Sequence, residues 1–250
     1  MDRFYGIKGA KNTRDFYGLA SKDGKRIVSH DFVRSCTLDK LGRKDRAKLG
    51  HIGLVIDLRD ADEAKEKPDK IDSFAVYKNM PVFGKTTVGV SMSSKSISML
   101  DNLPDMCDIY RNMVTDADAV ENIKNIIQEI LSSDVPVLWH CSEGKDRCGV
   151  ISALFLSLLD VPEETIMEDY LATNLVASKN KTRYYKLVLF ATRDKRKADA
   201  ILPFFEAREE FLLAALDGIN ATYGSVDNFL STALGVTPSQ KAALKAKCLE

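Results

Sequence analysis

Two hundred and fifty residues lie between one and two average domains, and α/β enzymes of this length commonly fold as one unit, so a single domain over residues 1–250 is expected. Hydrophobic residues make up 45% and charged residues 29%, which gives material for a large core and excludes disordered, collagen-like and disulfide-scaffold classes. Lys+Arg and Asp+Glu both number 36, so no global field calls for nucleic acid or a membrane, and any such partner has to be argued from a local patch. The longest apolar run, Val150 to Leu159, falls well short of the roughly twenty residues a bilayer requires, and Met-Asp-Arg-Phe opens no signal peptide. The expectation is a soluble, cytoplasmic protein without a transmembrane segment, with leaderless secretion left open.

Cysteines stand at Cys36, Cys107, Cys141, Cys148 and Cys248, an odd set without a Cys-x-x-Cys pair, and histidines only at His30, His51 and His140. That pattern argues against a zinc site and for reduced thiols, one of which is then free to act as a nucleophile. The closing Leu249-Glu250 is set aside as a cloning remnant.

In chain order, Leu54-Val55-Ile56-Asp57-Leu58-Arg59 reads as a buried strand with Asp57 and Arg59 at its carboxyl end. Residues 83–104 lack a clear period and read as a mobile loop or short helical insertion, in preference to an interdomain linker. Val120, Ile123, Ile126, Ile127, Ile130 and Leu131 recur at helical spacing behind the capping candidates Asp116 and Asp118, which predicts a helix over 117–132. Residues 135–139 read as a strand, and 150–159, apolar on every side, as a buried helix. Beyond Pro162 the pattern is mostly α, with helices expected over 163–174 and 202–217 and a turn at 223–230 leading into a final helical segment.

Between the second strand and the buried helix lies His140-Cys141-Ser142-Glu143-Gly144-Lys145-Asp146-Arg147-Cys148-Gly149. A thiol and an arginine five residues apart allow a loop to curl until its backbone N–H groups converge on one anion, while the following helix aims its positive end at the same point. The same field lowers the pKa of Cys141, and Arg147 supplies a planar two-pronged donor for phosphoryl oxygens. A buried structural cysteine would sit among apolar neighbours, whereas Cys141 is followed by polar loop residues. His140, directly before the thiol, is expected to brace the loop.

This segment resembles the phosphate loop of the cysteine-dependent protein tyrosine phosphatase superfamily, and more narrowly that of bacterial tyrosine phosphatases with Lys-Asp before the arginine, some of which act on lipids. Asn12-Thr13-Arg14-Asp15-Phe16-Tyr17-Gly18, Arg34-Ser35, Ile56-Asp57-Leu58-Arg59, Asp169-Tyr170-Leu171-Ala172-Thr173-Asn174 and Tyr223-Gly224-Ser225 are similar to further segments of that family. The resemblance implies an α/β cysteine-dependent phosphatase fold with a central, mostly parallel sheet flanked by helices, and lid-like helices over about 177–217. It implies a cofactor- and metal-independent, two-step phosphomonoester hydrolysis in which Cys141 attacks phosphorus, Arg147 and the loop residues Ser142, Glu143, Gly144 and Lys145 hold the phosphoryl group, and Asp146 protonates the leaving group. Superfamily members that take the acid from a Trp-Pro-Asp loop offer no parallel here, because the one tryptophan is Trp139. Asp57 is the competing acid, weighed against a structural pairing with an arginine.

Two positions depart from the family pattern: Cys148 replaces a Thr or Ser that stabilises the thiolate, and Tyr17 replaces a glycine. A thiol is the weaker donor, so Cys141 is expected to be less stabilised than usual, and Cys148 is also a candidate resolving thiol for an oxidised Cys141. Residues 179–197 carry eight basic side chains against Asp194 alone, read either as a solvated helix face or as an anionic-substrate or lipid-headgroup surface aided by Lys145. The substrates expected are phosphotyrosine proteins, with phosphoserine/threonine proteins and phosphoinositides beside them. The alternatives are an inositol-polyphosphate phosphatase of the same chemistry, a silent phosphate-binding module and a Cys141/Cys148 redox enzyme.

Overall fold

The computed structural model describes residues 3–71, 75–83, 103–176 and 179–250. Most of the 83–104 segment therefore lies outside the described residues. A five-stranded sheet runs in the order β1-β2-β5-β3-β4, built from β1 (Arg14–Asp15), β2 (Phe32–Ser35), β3 (Leu54–Asp57), β4 (Val76–Asn79) and β5 (Val137–His140). All pairings are parallel except β1 with β2, which is the mostly parallel α/β architecture expected from the sequence.

The helices are α1 (Arg43–Lys48), α2 (Ala61–Glu66), α3 (Met106–Thr115), α4 (Ala117–Ser132), α5 (Asp146–Leu158), α6 (Glu163–Leu171), α7 (Lys179–Thr192), α8 (Lys195–Ala200), α9 (Glu209–Tyr223), α10 (Val226–Asn228) and α11 (Pro238–Cys248). Helix α4 starts at Asp116, whose side chain accepts from Ala119 N, and buries Val120, Ile123, Ile126, Ile127 and Ile130 on one stripe. Helix α5 is sheltered nearly all round, as its uniform apolarity required. The core holds Trp139 of β5 against Phe16 and Phe155, with ring centroids 5.7 and 5.3 Å away.

Four readings need correction. Strands β1 and β2 were not anticipated, because Arg14 and Arg34 interrupt their apolar pattern yet are fully buried on a carboxylate described below. The helix expected at 202–217 is split: Leu202–Phe204 form a 3-10 turn and α9 begins only at Glu209. Between them Ala207 donates its N–H to Asn174 Oδ1 and accepts from Asn174 Nδ2, which spends backbone groups a continuous helix would need. Gly224, at φ +83, ends α9 as the turn reading required, but α11 is a separate element opened by a capping box at Thr237 and Gln240. Leu249 and Glu250 are no loose remnant, since Arg26 and Glu250 exchange backbone hydrogen bonds of 2.7 and 3.0 Å.

Candidate active site

Strands β2, β5 and β3 are parallel neighbours, so their carboxyl ends deliver three loops to one edge, the usual position for a ligand in an α/β sheet. The central loop is 141–145. Its carbonyls are gripped from outside: Ser142 O by Thr37 N at 3.3 Å, Glu143 O by Asn12 Nδ2 at 3.0 Å, and Gly144 O by Asn12 Nδ2 at 2.9 Å and Arg34 Nη2 at 3.0 Å. Within a planar peptide the N–H points opposite to the C=O, so the amides of Glu143, Gly144 and Lys145 are turned towards the inside of the loop. Gly144 has φ +66, and a Cβ there would lie 2.6 Å from Ser35 O, so only glycine fits. Helix α5 begins at Asp146 and adds its positive end to the same spot.

The grip rests on a buried ionic scaffold. Arg14 reaches Asp169 through Nε at 3.2 Å and its carbonyl through Nη2 at 2.7 Å, and Arg14 Nη1 also donates to Asn12. Arg34 Nη1 meets Asp169 Oδ2 at 2.8 Å, while Arg3 Nη1 joins at 2.5 Å. Burial alone would raise the Asp169 pKa, but the charges of Arg14, Arg34 and Arg3 hold it far below the usual carboxylate range. Three sequence segments noted above thus meet behind the loop and set its carbonyls.

Cys141 sits at the base of the loop with 2% exposure. Burial pushes its thiol up, yet the adjacent Cys148 thiol and amide and the charge of Arg147 outweigh it and bring it down to about 5, while the Cys148 Sγ itself lies 3.5 Å from Ser35 O and 3.9 Å from Trp139 O. Cys148 stands on the first turn of α5, directly beside Cys141. Burial and the neighbouring Cys141 push Cys148 itself far above the ordinary thiol range.

Arg147 is buried and held by Glu63, Nη1 to Oε2 at 2.5 Å and Nη2 to Oε1 at 3.1 Å. Ser142 Oγ donates to the same carboxylate at 2.8 Å. Glu63 resists burial through Arg147 and Ser142 and lies at about 2. Of the five N–H donors of a guanidinium, two are spent on Glu63, which leaves the fork's other edge for an anion. The sequence reading missed Glu63; its trace was the capping box Asp60-x-x-Glu63 that opens α2.

Asp146 is 7% exposed, and its Oδ1 accepts from Tyr110 at 2.7 Å and lies 3.2 Å from Lys145 Nζ. Lys145 borders the cleft beside the loop, and its ammonium donates to the carbonyls of Pro203 and Glu206, both at 3.0 Å, which ties the loop to the segment before α9. Asp57 takes the structural arrangement, receiving Arg59 Nε at 2.9 Å, Arg59 Nη2 at 2.7 Å and Tyr77 OH at 2.8 Å. His140 Nδ1 lies 3.4 Å from the Cys141 carbonyl, and Nε2 lies 3.0 Å from Asp69, close enough for an ion pair but outside hydrogen-bond alignment. Asp57, Asp69 and His140 gather three metal-type donors, and Arg59 binds both carboxylates. A cleft of about 260 Å³ adjoins the loop, bordered by Lys8, Lys11, Lys40, Glu143, Phe204 and Phe205.

Residues 5–250 match the tyrosine phosphatase family, and the chain belongs to it. It is a bacterial-type protein tyrosine phosphatase and a phosphomonoester hydrolase. Among its relatives, the triple specificity protein phosphatase PtpB of Mycobacterium tuberculosis is 27% identical, with 91% of this chain and 92% of that protein covered. A Cupriavidus necator protein provisionally named a tyrosine-protein phosphatase is 28% identical over 92% of this chain and 83% of its own. The tyrosine-protein phosphatase of Nostoc commune is 32% identical over 58% of this chain and 48% of its own. Among the described residues no helix is long and apolar enough to cross a membrane.

Proposed function

We propose that residues 1–250 act as one catalytic unit that hydrolyses phosphomonoesters through a cysteinyl-phosphate, within the His-Cys-x-x-Gly-Lys-Asp-Arg subgroup. The observation that carries this reading is a buried thiol at the base of a loop whose amides face inward beside Arg147, surroundings that lower its pKa. The Cys141 thiolate attacks phosphorus, forming the S–P bond as the P–O bond to the leaving group breaks. Arg147 and the amides of 143–145 hold the equatorial oxygens, and Asp146 gives its proton to the departing oxygen. Tyr110 and Lys145 both engage Oδ1, which directs the proton to Oδ2. Water then attacks phosphorus, Asp146 takes its proton, and Cys141 leaves as thiolate. Ser142 and Glu63 are positioning residues for Arg147, and His140 and Asp57 support the loop from the β3 side.

The substrates we assign are phosphotyrosine proteins, extending to phosphoserine/threonine proteins and phosphoinositides. The name of the tuberculosis relative supports a broad range, and a reducing, cytoplasmic compartment suits the free thiols. Phosphate release from an aryl phosphate with EDTA present tests the reading. The parent should turn over, Cys141→Ser should be silent while still binding phosphate, and Asp146→Asn should lose on the order of 10²–10⁴ with an alkyl phosphate and much less with an activated aryl one. Turnover retained in Cys141→Ser would contradict the covalent route.

A further inference from the structure

Helix α7 has two unlike faces. Lys181, Tyr184, Val188 and Thr192, at helical spacing, face inward: Tyr184 stacks on Phe205 at 5.4 Å, Val188 is buried with Ala198 and Ile201, and Lys181 pairs with Glu206. Arg183, Lys186, Leu187 and Phe190 follow the i, i+3, i+4, i+7 spacing of the opposite face, and all are exposed. Phe190 is 86% and Leu187 48% exposed, although both side chains are large and apolar. No Asp or Glu occurs from Lys179 to Arg193. The acids that reach α7 meet its inner side, Glu206 with Lys181 and Asp199 with Tyr185, and Asp194 beyond its end pairs with Arg196.

A face with an aromatic and an aliphatic side chain at its centre, flanked by Arg and Lys and, among the described residues, free of carboxylates, has the make-up of a helix lying in a membrane interface. Self-association fits it badly. A two-fold dimer sets the same patch against itself, which would bring the basic side chains of two copies together. We propose that the outward face of α7 docks on anionic bilayers, with Phe190 and Leu187 entering the interface and Arg183 and Lys186 meeting the headgroups.

The position gives docking a consequence. The inner face of α7 rests on Phe205 and Glu206, and the carbonyl of Glu206 holds Lys145 of the phosphate loop. One helix, roughly 10 Å across, thus separates the headgroup layer from the segment that anchors the loop. On the phosphatase reading, this places the loop beside phosphate esters carried on a membrane; the docking itself does not need that reading.

Co-sedimentation with vesicles of phosphatidylcholine alone, or mixed with phosphatidylserine, tests the proposal. The parent should bind the mixed vesicles and not the neutral ones, and salt should weaken binding. Phe190→Asp and the double variant Arg183→Glu/Lys186→Glu should each lower binding at least about tenfold, with the circular dichroism and aryl phosphate turnover of the parent. Absence of binding by the parent, or equal binding by parent and variants, overturns the proposal. A dimer in gel filtration that Phe190→Asp dissolves reassigns the face to a second copy. Failure of the phosphatase reading would show separately, as absent turnover with vesicle binding intact.

Discussion

The phosphate loop and helix α7 are both rich in arginine and lysine, and they use these residues in opposite ways. Around the loop Arg14, Arg34 and Arg147 are all at most 3% exposed, and each meets a carboxylate from a distant part of the chain. On the outer face of α7, Arg183 and Lys186 face solvent beside exposed apolar groups. The difference is one of dielectric surroundings. A buried guanidinium is held to one geometry by its partner and fixes the backbone it touches, whereas an exposed one is worth little to stability and is available to a partner.

Arg147→Lys removes the planar fork but keeps the charge, so it should cut kcat for an aryl phosphate by about 10²–10³ with a smaller change in KM. A lysine that restored full activity would show that charge alone suffices and would erase the contrast with α7. Asp169→Asn leaves Arg3, Arg14 and Arg34 short of their shared counter-charge, an expected loss of about 3–5 kcal/mol. At roughly 2–4 °C per kcal/mol, the melting temperature should fall by on the order of ten degrees. Arg183→Glu should stay within about 0.5 kcal/mol of the parent. Equal shifts in these two variants would break the comparison.

Glu63 sharpens it through pH. Its folded pKa of about 2 lies below the unfolded value near 4.3, so its stabilisation is complete above about pH 5 and is lost as pH falls towards 2. Glu63→Gln should therefore cost more at pH 6 than at pH 3 in urea melts. A cost that is the same at both values would show that Arg147 gains nothing from the charge of Glu63.

The sequence made the strand, loop and helix of 137–158 legible because strand, thiol, arginine and buried helix follow one another without a gap, and local pattern is what a sequence displays. Glu63 was not, because its contact with Arg147 spans 84 residues and its only local mark was a helix cap. The fate of Lys145 was hidden for the same reason, since its carbonyl partners lie 58 and 61 residues away. Arg14 and Arg34 disguised two strands, because a charge in a short apolar run reads as a surface position until its buried partner is known. The bias of 179–197 was visible, but only the structure divides α7 into an inner face on Val188 and an outer face on Phe190.

The central claim is that this scaffold delivers a thiolate at Cys141. The most direct measurement is the rate of Cys141 alkylation by iodoacetamide as a function of pH, read by mass spectrometry on the peptide that carries it. The account predicts a midpoint at about 5, moving upward in Cys148→Ala, which lacks the neighbouring thiol, and not in Phe190→Asp. A parent midpoint near 9.0, the ordinary thiol value, would contradict it.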